Sequence, residues 1–478
     1  MPTDSQAQST IAELKALSDL IQASLTSIEA TMTARSLDFP SPHTTMTMES
    51  EGPRMIPEVD EACSLIVSAA MQLIYSVRSP ILNITVAATQ HAIPAALGVV
   101  TAANIAEACR EAGPLGAHVS ELAKASSIHP SKLARLLRML ATNHIFTEVS
   151  PDVFANNRAS SVLDTGKSVK ELVANPTNKF HGTTGGAAGV GHVTDEAMKA
   201  AAFLQEALLD PKISHSEEPN ETALNVAFKT DRTIWDWFDM PENRSRLLRF
   251  GYSMEYMKHA SPPTAVIEGF DWATLDKNSL VVDVGGGIGA QSMTLARTYP
   301  HLRFVVQDRE PVVDEAQKFW ENGLSGALQS GRVTLQAHDF FATQPIQNAA
   351  VFLLRNIMHD WPDKYASVIL KQLRSAAAPN TQLIIVDNLL SYACINEQLK
   401  SIPGADRPLP PRPLLPNGGH VSFVTFIGDM QMLELCNGKE RTIPEFAALM
   451  EQTGWKLVRV HQGNASAVGS TKLIGIPA

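Results

Sequence analysis

The stretch Val281-Val-Asp-Val-Gly-Gly-Gly-Ile-Gly-Ala290 decides how this chain reads. Its β-branched run predicts a strand, and the glycines after it predict a tight turn into a helix. Gly285, Gly287 and Gly289 permit positive φ and let backbone amides approach a ligand with no Cβ in the way. Short apolar runs at 280–284, 303–307, 333–336, 351–354 and 383–386 alternate with helical stretches. That alternation predicts an α/β fold, a parallel-rich sheet covered by helices.

The run 285–290 also satisfies the G-x-G-x-x-G/A fingerprint of dinucleotide sites, which by itself is weak. Asp308 stands 23 residues beyond Gly285, at the end of the next strand. An acid there suits the ribose hydroxyls of either an adenine dinucleotide or S-adenosyl-L-methionine (SAM). Asp283 separates the two. A carboxylate two residues before the first glycine repels a pyrophosphate but suits a sulfonium and an α-amino group. SAM is therefore the expected cofactor, with a nicotinamide dinucleotide as its rival.

Two further segments fall beyond strand ends, where open α/β sheets bind ligands. In Ala337-His-Asp-Phe-Phe341, Asp339 can take an adenine amino group and Phe340 can stack on the ring; the plain alternative is a solvated turn. In Arg355-Asn-Ile-Met-His-Asp-Trp-Pro-Asp363, His359 is placed for proton transfer, because an imidazole titrates near neutral pH. A lone histidine is more often structural. Asp387, ending the fifth strand, and Glu440, in Gly438-Lys-Glu-Arg-Thr442, give this one acids that can orient the ring and stabilise its charged form.

The 478 residues are too many for one ordinary domain, and 44% apolar content supports a large core. A formal charge of −10 argues against a nucleic-acid partner. The four cysteines, Cys63, Cys109, Cys394 and Cys436, form no CxxC pair, so neither zinc nor a disulfide framework is indicated. No His/Asp/Glu cluster has metal-ligand spacing. The polar start of the chain is unlike a signal peptide. The longest apolar run, 81–100, is interrupted by Asn83, Gln90, His91 and Pro94 and falls short of a membrane span. A cytoplasmic protein is expected.

Residues 10–34 carry apolar side chains at helical spacing and predict an amphipathic helix; 36–58 reads as a loose linker. Residues 119–149 and the strand after them predict helix, helix, strand, turn, strand, a winged-helix order, with Ser120 as the first helix cap. In an acidic chain this arrangement suits packing or dimerisation better than DNA reading. Gly185-Gly-Ala-Ala-Gly-Val-Gly191 lacks a preceding strand, so it reads as a flexible loop and not a phosphate cradle. Residues 401–419 hold six prolines and Asn417-Gly-Gly and read as a surface insertion or lid.

Four motifs, Val282-Asp-Val-Gly-Gly-Gly, His338-Asp-Phe-Phe, His359-Asp-Trp-Pro-Asp and Gly438-Lys-Glu-Arg-Thr, resemble in order and spacing those of the plant and fungal small-molecule O-methyltransferases of the caffeic-acid type. The match is strong from about residue 245 and architectural from about 60. It implies three segments. Residues 1–58 would be an N-terminal helix and linker, 59–245 a helical and winged-helix dimerisation domain, and 246–478 a Rossmann-like SAM domain. It implies a homodimer and a small-molecule acceptor, with no membrane partner. It implies His359 as general base flanked by Asp387 and Glu440. Asp283, Gly285, Gly287, Asp308, Asp339, Phe340 and Arg355 would hold the cofactor. Plant members usually carry lysine at the position of Arg355 and glutamate at that of Asp387; the aspartate is one methylene shorter.

The expected reaction moves a methyl group to a phenolic hydroxyl of an apolar acceptor. Residues 233–257 are dense in aromatics and methionines, which fits either a helix core or a pocket wall. Trp235, Phe238, Met254, Met257, Met358, Trp361 and Met430 are the expected pocket lining. Two alternatives stay open: a methyltransferase-fold pericyclase, whose relatives tend to lose the base that His359 provides here, and a non-catalytic protein that holds SAM.

Overall fold

The structure is a computed structural model, and it describes residues 10–258, 265–463 and 471–478. The chain forms two compact units. The first holds the chain up to Leu208, the stretch from Ala223 through the helix ending at Lys258, and Arg412–Leu414. The second holds Leu209–Thr222, the chain from 265 to Pro411, and Leu415 onward.

In the first unit, α1 (Thr10–Arg35) packs along α2 (Pro57–Val77). Leu17, Ile28 and Met32 meet Val59, Ala62 and Ala69 in their seam. The intervening segment is not loose. Arg158 is 8% exposed and binds it at several points: Glu51, the Ser50 hydroxyl at 2.7 Å and the Thr44 hydroxyl at 3.1 Å. The Met46 amide donates to the Ser161 hydroxyl. A buried guanidinium must find acceptors, and here the segment supplies them.

The winged-helix order is present: helices Val119–Leu122 and Pro130–Thr142, then strands Thr147–Ser150 and Val153–Ala155. A short strand, Ala117–His118, completes a three-stranded sheet. The first helix is capped by His118, whose ring nitrogen accepts the Ser120 amide, and not by the Ser120 side chain. His129 caps the second helix in the same way.

Gly185-Gly-Ala-Ala-Gly-Val-Gly191 is not a loop. Gly186–His192 is a helix, and Gly186, Ala187, Ala188 and Gly189 are buried. A Cβ on Gly185 would run into the carbonyl of Tyr252, and one on Gly186 into that of Val162. The glycines are what let this helix lie against helix Arg244–Lys258. Pro80–Ala102 does have the length and apolarity to cross a membrane by composition alone, although its polar interruptions predict otherwise. It is two helices, Pro80–Thr89 and Ala92–Ala102, and the second puts Ala96 and Val100 into the core.

The second unit is built on a seven-stranded sheet. Its strands are β1 (Leu280–Val284), β2 (Arg303–Asp308), β3 (Val333–Ala337), β4 (Val351–Arg355), β5 (Gln382–Val386), β6 (Trp455–His461) and β7 (Lys472–Pro477). Their order is β6-β7-β5-β4-β1-β2-β3, with β7 antiparallel to both its neighbours and the β1–β5 pairings all parallel. Val281, Val282, Phe352, Leu353, Ile384 and Ile385 are wholly buried, as strands covered on both faces require. The chain winds from β1 out to β3, then restarts at β4 on the other side of β1. That reversal opens a crevice at the carboxyl ends of β1 and β4.

The proline-rich segment 401–419 is only partly superficial. Ala405 is 2% exposed in the sheet core, and the Val460 amide donates to the Pro403 carbonyl at 2.8 Å. Leu414 joins Leu17 and Ala69 in the first unit, where Gln72 donates to the Pro413 carbonyl.

Candidate active site

The crevice is floored by the glycine turn after β1. Gly285 and Gly287 both have positive φ, at 67° and 59°. A Cβ on Gly285 would lie 2.5 Å from the Ile357 side chain and 3.6 Å from the Phe340 ring, so glycine is needed for space as well as conformation. Beside Gly287 nothing stands within 4 Å, which leaves that face of the turn open. The Gly287 amide donates to Asp308 Oδ2 at 2.8 Å, and the Arg309 amide to Oδ1 at 2.8 Å. Asp308 is thus fixed at the end of β2 by two amides, with lone pairs left for a ligand.

Asp283 lies under the turn, not beside it. It is 2% exposed, its Oδ2 accepts the Ser292 hydroxyl at 2.6 Å, and a Cβ on Gly286 would sit 2.6 Å from its Cγ. Burial, with Asp308 nearby, pushes its carboxyl up to about 6 despite Ser292 and Arg355. Arg355, at the end of β4, is itself pulled down by burial, although Asp283 and Asp387 favour its charge. Past β3, Asp339 Oδ1 accepts the Phe341 amide at 2.9 Å. Phe340 packs edge-on to Phe341 and Trp361, at 4.9 and 6.0 Å between centroids.

His359 sits in a short 3₁₀ turn, Met358–Asp360, just beyond β4. Its Nδ1 lies 2.8 Å from Glu440 Oε1, with side-chain exposures of 15% and 2%. With Nδ1–H donated to Glu440, the lone pair is on Nε2. Asp360 Oδ1 is 3.7 Å from that nitrogen. Burial pulls the imidazole toward neutrality, but Asp360, Glu440 and Asp387 together outweigh it and push it up to about 10. Asp387 does not orient the ring, contrary to expectation. It is 1% exposed, and neither oxygen has a hydrogen-bond partner. Of the two expected acids, only Glu440 hydrogen-bonds the imidazole.

Sequence reasoning took only Glu440 from Gly438-Lys-Glu-Arg-Thr442, yet the whole motif builds the site. A Cβ on Gly438 would run into the carbonyl of His359, so glycine lets this segment lie against the turn. The Glu440 amide donates to Asp429, and its Oε1 also accepts Asn388 Nδ2 at 2.9 Å. Arg441 is 0% exposed and clamps the histidine turn. It donates to the Met358 carbonyl at 2.6 Å, the Trp361 carbonyl at 2.7 Å and Asp363 Oδ1 at 2.8 Å. Lys439 adds an ion pair to Asp363 at 3.2 Å. Thr442 starts the next helix in a reciprocal cap with Glu445. The signal that could have found Arg441 is its place beside Glu440 in the motif.

The expected pocket lining divides. Met358 is 0% exposed and Phe238 is 1% exposed, so both are core residues and not pocket walls. Phe238 packs on Trp237 and Phe250. Trp235 is half-buried against Phe250, and Met254 is exposed. The Met257 side chain lies outside the described residues. In the second unit, Trp361 is half-buried among Phe340, Phe341 and Tyr365, while Met430 is exposed on helix Phe423–Cys436. Among the described residues no group of three or more His, Cys, Asp and Glu could hold a metal ion.

The O-methyltransferase domain family matches residues 250–402, and the O-methyltransferase dimerisation domain family matches 87–166. An O-methyltransferase of Armillaria gallica is 42% identical over 97% of this chain and 99% of its own length. The chain belongs to the O-methyltransferase family. A 4-O-methyltransferase of Phanerochaete chrysosporium is 39% identical, over 96% of this chain and 99% of its own. Among solved structures, mitomycin 7-O-methyltransferase superposes with a TM-score of 0.60 at 24% identity, covering 86% of this chain and 100% of that one. A pericyclic reaction enzyme superposes with a TM-score of 0.64 at 19% identity, covering 87% and 94%. These two likenesses are of fold. The methyl donor of this O-methyltransferase is SAM, and the open face at Gly287, with Asp308 behind it, fits an adenosine-bearing ligand.

Proposed function

We propose that this O-methyltransferase methylates a phenolic hydroxyl of an apolar small molecule, with His359 as general base. The observation that carries this reading is the His359–Glu440 pair, which engages Nδ1 and leaves Nε2 as the nitrogen that can accept a proton. The cofactor, when bound, supplies a methyl group on a sulfonium. Gly285 and Gly287 would receive it at the turn, Asp308 would take ribose hydroxyls, and Asp339 and Phe340 the adenine. Asp283 and Arg355 act from beneath, Asp283 through the field it places under the turn. Trp361 and Met430 offer apolar surface to an acceptor.

His359 takes the hydroxyl proton on Nε2 as the oxygen becomes nucleophilic, and Glu440 stabilises the imidazolium that results. Holding both reactants in line contributes up to about 7–11 kcal/mol in well-oriented systems. The relatives' names, an O- and a 4-O-methyltransferase, support a hydroxyl acceptor.

A second copy of the chain is the proposed partner. The matched dimerisation domain begins at residue 87, and just before it helix Pro80–Thr89 exposes Ile81 at 81% and Ile84 at 72%. The test of the activity is a screen of phenolic acceptors with methyl-labelled SAM. Labelled ether and S-adenosyl-L-homocysteine (SAH) in equal amounts support the reading. Rearrangement of an acceptor with no SAH released would place the chain with the pericyclases instead.

A further inference from the structure

We propose that Asp387 is held as the neutral carboxylic acid at working pH, a positioning residue that keeps the acid cluster from over-stabilising protonated His359. This rests on the general-base reading of His359. The argument starts from hydrogen-bond supply. Asp387 is 1% exposed and both its oxygens lack a donor. An ionised carboxylate so buried and so unserved costs several kcal/mol, and the group escapes that cost by keeping its proton.

None of the nearby cations donates a hydrogen bond to it. His359 Nδ1 donates to Glu440. Arg441 directs its guanidinium to Met358, Trp361 and Asp363. Arg355 makes no hydrogen bond to Asp387 among the described residues. The acids around it, Glu440 and Asp360, oppose a further negative charge. Burial, Glu440 and Asp360 push Asp387 up to about 7 although His359 and Arg441 pull it down.

Glu440 shows the contrast. Its Oε1 faces both His359 Nδ1 and Asn388 Nδ2, two donors for its charge, although its Oε2 has none. The consequence is chemical. His359 can accept a proton only when it is neutral, and each carboxylate facing it holds its own proton on more tightly. A proton resident on Asp387 removes one of those carboxylates. His359 then gives up its proton at lower pH than it would beside a further carboxylate.

The test is Asp387→Asn in the full-length chain, which replaces the acid by a neutral group of the same shape. Thermal unfolding of both proteins is followed from pH 4 to pH 8, without any acceptor. An unfolded aspartate ionises near pH ~3.9. If the folded acid stays protonated, the wild type loses stability as pH rises through this range and the variant does not. The Tm difference, variant minus wild type, then grows with pH. A difference that stays flat, or that shrinks because a charged Asp387 is stabilising, overturns the proposal.

A second readout uses any phenol the wild type is found to methylate. A neutral Asp387 predicts that the rising limb of kcat/KM against pH keeps its midpoint in Asp387→Asn. A midpoint moved down by about one unit, the signature of a lost negative charge beside His359, contradicts it. Absence of turnover on every phenol would sink the methyltransferase reading and leave the unfolding result to stand on its own.

Discussion

Arg441 donates through three nitrogens to the turn that carries His359, reaching the carbonyls of Met358 and Trp361 and the carboxylate of Asp363. The residue next to Arg441 is Glu440, which holds the imidazole itself. One two-residue step in the chain therefore fixes both the backbone and the ring of the proposed base.

Arg441→Lys should break this clamp. A single ammonium on a flexible stem does not reproduce the planar fork that reaches all three acceptors. Misplacing the base by about 1 Å should lower turnover by ~10²-fold. SAH affinity, measured by calorimetry, should barely change. Equal losses of turnover and SAH affinity would mean the arginine supports the unit as a whole.

Glu440→Gln should act on the pH profile. The folded-state imidazole is raised, so activity through His359 should climb with pH above the ordinary 6.5 as the proton leaves. Glu440 contributes to that elevation. Its neutral replacement should move the rising limb to lower pH while lowering the plateau about 10²-fold. A limb that stays in place would show that the titrating group is not His359.

Asp308→Ala should weaken the cofactor before it touches the chemistry. Loss of a charged acceptor for the ribose hydroxyls should cost about 1.5–3 kcal/mol, or ~10–100-fold in SAH affinity. At saturating SAM, turnover should largely recover. A turnover defect that persists at saturation would place Asp308 in the chemical step.

Ile81→Glu combined with Ile84→Glu should separate the proposed homodimer. Both side chains are largely exposed on a helix without a charged residue, an arrangement that a lone monomer rarely keeps. Light scattering after gel filtration should report half the wild-type mass. An unchanged mass would move the interface away from this helix, into the matched dimerisation domain.

The sheet was legible because β1, β2, β4 and β5 are buried on both faces and so read as continuous apolar runs. The glycine turn and the histidine turn follow those strands directly, and local sequence was enough to find them. What depended on distant partners was not legible. Gly185–Gly191 reads as a breaker until Tyr252 and Val162 are seen against its glycines. Nothing in the local sequence gives Arg441 a role until the turn about 80 residues earlier closes on it. Phe238 and Met358 were placed on a pocket wall because aromatic and methionine density does not distinguish a wall from a core. Asp387 reads as a partner for His359 by its charge and its place at the end of β5, yet in the structure neither of its oxygens has a hydrogen-bond partner.

The central claim is proton removal by His359, and the most direct measurement is methyl transfer from labelled SAM to a phenol by wild type and His359→Ala, each saturated with cofactor. The account predicts turnover lower by about 10²–10⁴-fold in the variant with SAH affinity unchanged. Near-equal turnover in the two proteins would contradict it.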